Sequence, residues 1–197
     1  MGRKKNLGII LVSICLLSAC SGIPKAQGPT PGLQTIIVNP GVKKPLLTSD
    51  LINDFSADGG SVLSTIYEIR DCRIDTECSL GVAKPEVSSN LIRQLPDGIE
   101  VSISVKYSVA ANQVLELGGT TTRISVPGNV NHISESRLEQ RQVSMRYGDA
   151  KRLDLGYGDS IIFCARRVPT AGAPEMDRCP VDLRNFGREE INATLSF

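Results

Sequence analysis

The chain is 197 residues long, with 22 Lys and Arg against 21 Asp and Glu, one His, no Trp and six Cys. That size fits one compact domain with appendages and excludes two large ones. A formal charge of +1 with both signs interspersed excludes binding driven by neutralised nucleic-acid phosphates, 41% apolar residues exclude a disordered chain, and one imidazole leaves little material for His-based acid–base or metal chemistry.

The chain opens on Met1-Gly2-Arg3-Lys4-Lys5, continues with an apolar run over residues 7–17, and reaches Leu17-Ser18-Ala19-Cys20. A basic start, a short apolar core and small residues before a cut are the parts of a secretory signal peptide. The run is about 11 residues, against roughly 20 for a spanning helix, so a retained membrane span is disfavoured. Leu17-Ser18-Ala19-Cys20 resembles the lipobox of bacterial lipoproteins. That resemblance implies cleavage after Ala19 and lipidation of Cys20 by a diacylglyceryl thioether and an N-acyl chain, and Ser21 after the Cys implies the outer membrane. Losing residues 1–19 removes Arg3, Lys4 and Lys5 and no acid, leaving 19 basic against 21 acidic residues, a charge of −2. One myristoyl chain gives only marginal binding, so three acyl chains would anchor the protein to the bilayer durably.

Residues 20–47 hold five Pro and four Gly before residue 46 and read as a tether. Inside it, residues 33–38 form a β-prone apolar island. Leu33, Ile36, Ile37 and Val38 are then either a first strand of the chain's own domain or a segment that docks by adding to a partner's sheet edge. Residues 48–197 read as a disulfide-stabilised domain. Ser49-Asp50 ahead of Leu51, Ile52 and Phe55 has the form of a cap and a short helix, ended by Asp58-Gly59-Gly60. Residues 62–69 alternate as a strand. Cys72 and Cys78, with Cys164 and Cys179 further on, form an even set in an exported chain and point to two disulfides, with three pairings open. The local pairing, Cys72 with Cys78 and Cys164 with Cys179, would close one short loop and a larger one. The spacings are not those of a zinc site or a redox dithiol, so no metal is expected. Ser88-Ser89 ahead of Leu91, Ile92 and Leu95, stopped by Pro96, predicts a second short helix.

After Asp97-Gly98 the pattern turns strongly to β. Val101, Ile103, Val105, Tyr107 and Val109 alternate with polar residues, one face for a core and one for water. Shorter strands are predicted at residues 113–117, 121–126, 142–147, 152–155 and 160–165, separated by Gly-containing turns about ten residues apart. Together they predict a mainly β fold, an antiparallel immunoglobulin-like β-sandwich with one to three short helices. The twin Tyr147-Gly148-Asp149 and Tyr157-Gly158-Asp159 read as turn chemistry rather than a repeated binding motif. Residues 180–186 have the form of a third short helix, with Pro180 near the start and Gly187 past the end. Residues 191–197, ending in Phe197, resemble the terminal strand of outer-membrane barrels, but too few long strands are present for a barrel and a last domain strand is the better reading.

No phosphate-binding Gly loop, nucleophile elbow or H-E-x-x-H motif is present. His132 lies in a polar turn. Asp71, Asp75 and Glu77 lack the spacing of a calcium loop. The basic residues between Arg137 and Arg152 are interleaved with acids, as on a salt-bridged surface. The expectation is a non-catalytic protein without cofactor, a structural or assembly component of a trans-envelope complex of the secretion, conjugation or pilus type. Its partners would be the outer-membrane bilayer, through acylated Cys20, and envelope proteins on the periplasmic side. The alternative is a ligand-binding or inhibitor module on the same anchor.

Overall fold

The computed structural model describes residues 29–39, 46–55, 61–72, 78–168 and Cys179. They form eleven strands: β1 Thr30–Asn39, β2 Leu46–Asp54, β3 Ser61–Ser64, β4 Tyr67–Asp71, β5 Ser79–Leu95, β6 Gly98–Ala110, β7 Asn112–Leu117, β8 Thr120–Ser125, β9 Glu135–Arg146, β10 Ala150–Gly156 and β11 Asp159–Val168. Every ladder between them is antiparallel. One sheet has the order β10-β11-β1-β2, a second β3-β5-β6-β9 with β4 also on β5, and β7 with β8 make a separate hairpin. The fold is mainly β.

β6 follows its sequence pattern closely. Val101, Ile103, Val105, Tyr107 and Val109 are all buried, with Ser102, Ser104, Lys106 and Ser108 between them on the other face. They join Tyr67, Ile69, Ala83, Val87, Val143 and Met145 from neighbouring strands in one core cluster. The same cluster includes Leu33 and Ile37 of β1, Leu153 and Leu155 of β10, and Ile161, Phe163 and Ala165 of β11. One core therefore draws on both large sheets. β1 and β11 are apolar on their second face too, where Ile36 and Ile162 pack with Val38 and Ala150. That double covering explains why β11 is one continuous apolar run instead of an alternating one.

The helices expected around residues 49–55 and 88–95 are not present: the first segment is β2 and the second is the C-terminal half of β5. In both, pairing overrides local helical spacing. β2 ladders along β1 from Asn39↔Leu46 to Gly32↔Asp54. β5 ladders along β6 to Leu95↔Gly98, turning at Pro96-Asp97, so that Leu91 and Ser89 face Val101 and Ile103. The helix expected at 180–186 and the strand at 191–197 lie outside the described residues. The single strand read over 62–69 is two, β3 and β4, both paired to β5.

The docking role considered for Leu33, Ile36, Ile37 and Val38 is corrected by their placement. They lie in β1, which has β11 on one edge and β2 on the other, and Leu33, Ile36 and Ile37 are fully buried. With both edges paired inside the chain, no backbone remains to receive a partner strand. Folded structure thus includes Thr30–Asn39, within the stretch read as tether.

Candidate functional site

The turn from β10 to β11 is built on three left-handed residues, Gly156 (φ 93°), Tyr157 (φ 53°) and Gly158 (φ 83°). Glycine adopts this conformation freely; Tyr157 is held in it with its hydroxyl donating to Glu135 Oε2 at 2.9 Å. The turn delivers the next residue, Asp159, into the interior, where it is 1% exposed. Asp159 Oδ2 accepts hydrogen bonds from the Tyr67 hydroxyl at 2.9 Å and the Tyr107 hydroxyl at 3.1 Å. The two donors stand on β4 and β6 of the five-stranded sheet, and the acceptor opens β11 of the other, so three side chains tie the sheets together through one oxygen. Asp159 Oδ1 is buried and has no hydrogen-bond partner among the described residues.

Burial sets the chemistry of this cluster. It pushes the Asp159 carboxyl up to about 6, while the two tyrosine hydrogen bonds pull the other way by favouring the charged form. Burial, and then the Asp159 charge, hold both phenols far above their usual range, so they remain neutral donors. On the outer side of Tyr107 the Arg137 guanidinium lies 5.2 Å from the ring centroid, with its Nε 3.5 Å from Glu135 Oε1. A carboxylate so enclosed is out of reach of a solute and braces the fold. A second polar tie crosses between the sheets where Asn53 Nδ2 donates to Ser89 Oγ at 3.3 Å.

No known protein family, curated protein or solved structure matches this chain. Its surface is therefore read from geometry alone. An open groove of about 390 Å³ runs between β3 and β7, lined by Val62 and Ser64, by Lys84 and Glu86 of β5, and by residues 114–117. Val62 and Leu117 are 66% and 65% exposed there. Glu86 in the groove is paired with two lysines, Lys84 at 3.2 Å and Lys106 at 3.4 Å.

Cys72 bonds to Cys78 and Cys164 to Cys179, the local pairing of the three that the sequence allowed. Cys20 lies outside the described residues. Leu33, Ile36, Ile37 and Val38 belong to the interior as described above. His132 sits in a loop pinned to β5 by Leu80 N donating to Asn131 O and Ile133 N donating to Leu80 O, both at 2.9 Å. Its Nε2 lies 3.0 Å from Pro127 O. No group of three or more His, Cys, Asp or Glu side chains converges among the described residues.

The Asp159 cluster was missed in the sequence because each member passed for something ordinary: Tyr67 and Tyr107 for apolar strand positions, Asp159 for a turn residue. Two signals pointed to it. Asp159 stands just ahead of the apolar run 161–165, and a tyrosine at a core position needs a partner for its hydroxyl. The twin tripeptides part company here, since Asp149 is exposed and Asp159 buried.

Proposed function

We propose that the chain is an outer-membrane lipoprotein, held by acylated Cys20 on the periplasmic side, that acts as a non-catalytic assembly component of a trans-envelope complex of the secretion, conjugation or pilus type. Its strands are arranged as an immunoglobulin-like sandwich. The observation that carries this reading is Leu17-Ser18-Ala19-Cys20 closing a basic and then apolar leader. Two disulfides fit an oxidising compartment. The core shared by both large sheets supports the sandwich. The enclosure of Asp159, the described carboxyl displaced furthest from its usual range, supports a structural rather than catalytic role.

Two experiments test it. Labelled palmitate fed to producing cells enters the wild-type chain and not Cys20→Ser, which is released from the membrane; equal labelling of both removes the anchor. Mild cross-linking of the membrane-attached chain in its own cells then recovers it in a stoichiometric complex with other envelope proteins. Recovery as a free species sinks the assembly role. The groove between β3 and β7 favours a second reading, a ligand-binding or inhibitor module. In that case substitutions at Val114 and Leu117 abolish capture of an exported target and leave envelope complexes intact.

A further inference from the structure

Among the described residues β9 is an outer strand. It pairs with β6 from Val109↔Glu135 to Gly98↔Arg146 without a register shift, and among the described residues no strand lies on its other side. Alternate residues of an antiparallel strand turn their N–H and C=O groups to opposite neighbours, so about half of this backbone is turned away from β6. The strand is twelve residues long with no Pro and no Gly. It therefore lacks the bulges, breaks and shortness that usually blunt an edge.

It carries charge instead, in an order that decides what can pair with it. Glu135, Arg137, Glu139 and Arg141 alternate in sign along the face that continues into the core through Val143 and Met145. Leu138, on the opposite face, is 59% exposed. Read antiparallel against itself about Leu138, this segment is self-complementary. Glu135 faces Arg141 and Arg137 faces Glu139, and two-fold symmetry makes that four opposite-charge pairs at directly opposed positions. The two exposed leucines meet on the axis. Moving the axis to residue 137 sets Glu135 against Glu139 and Arg137 against itself; moving it to 139 sets Arg137 against Arg141 and Glu139 against itself. The charge order selects one register and rejects its two neighbours. Glu135 and Arg137 are already positioned for it, by the Tyr157 hydroxyl and the Tyr107 ring.

We propose that β9 pairs edge to edge with β9 of a second copy of this chain, with Leu138 on the two-fold axis, so that two five-stranded sheets continue as one. The pairing does not depend on the state of Cys20. The test uses the full chain, in detergent where it is acylated. Leu138→Cys, placed opposite itself, forms a disulfide-linked dimer on mild oxidation. Ser136→Cys and Gln140→Cys each stay single alone and cross-link when mixed, because those two positions face each other. Glu139→Arg, a change at a half-buried position of β9, sets two Arg pairs face to face and weakens dimerisation in light scattering by at least about 10-fold. Adding Arg137→Glu to the same chain restores the dimer. A wild-type chain that stays monomeric with Leu138→Cys uncross-linked overturns the proposal, as does a dimer indifferent to Glu139→Arg.

Discussion

Asp159 makes this protein's stability depend on pH in a direction opposite to that of most paired carboxylates. Its carboxyl titrates near 3.8 in the unfolded chain and at about 6 in the folded one, so the native state holds the proton more tightly. The stabilisation from that proton is fully present below about pH 4 and is lost as pH rises through 6. A gap of about two pH units corresponds to about 3 kcal/mol. Asp159→Asn keeps an acceptor for the two tyrosines and cannot ionise. The melting temperature of the wild-type chain should therefore fall relative to the variant between pH 4 and 7, with exposed acids common to both cancelling. Parallel melting curves would show that Asp159 keeps its usual acidity. Tyr67→Phe leaves the carboxylate with one donor and should cost about 1–3 kcal/mol at neutral pH, read by denaturant unfolding. Gly98 poses a steric question in place of an electrostatic one. A Cβ there would lie 2.1 Å from Met145 O and 2.9 Å from Arg146 Cα, both backbone atoms of β9. Gly98→Ala should push the two strands apart and cost about 1–3 kcal/mol in the same assay.

At the scale of elements, β1 carries the clearest prediction. Deleting residues 33–38 takes a doubly paired strand out of its sheet and Leu33 and Ile37 out of the core. The shortened chain should lose its cooperative thermal transition altogether, which calorimetry would show. A domain that melts as before would return those residues to the tether. Legibility in the sequence followed how each strand is buried. β6 was plain, since one face meets the core and the other water. β11 was visible as an apolar run, and β1 as an island between Pro and Gly. β9 is legible only from residue 142, because its first seven residues carry a single apolar side chain, Leu138, and give periodicity nothing to act on. β2 and residues 88–95 of β5 carry helical signals in the sequence because Ser-Asp and Ser-Ser imitate caps, and the pairing that makes them strands comes from elsewhere in the chain. The Asp159 cluster was hidden for the same reason: its three members are brought together from three strands by the topology.

For the whole molecule, the two disulfides make unequal contributions. Cys164 and Cys179 are 15 residues apart and Cys72 and Cys78 are 6 apart. On the chain-entropy view, removing the first bridge costs about 3 kcal/mol and the second about 2 kcal/mol. Cys179→Ser should thus lower the denaturation midpoint more than Cys78→Ser, and equal losses would point to strain or residual structure in place of loop closure. The position of β1 has a consequence in time. Val38 pairs with Ser160 and Thr30 with Val168, more than 120 residues further along. A chain emerging from its N-terminus can close the β1–β2 hairpin early, but the other edge of β1 stays open until β11, the last described strand, has arrived. Completion of that sheet is therefore a late, long-range event, slow by the cost of its loop, with an apolar strand exposed to aggregation throughout. Whatever attends this chain during its synthesis has to shield β1 until β11 is made.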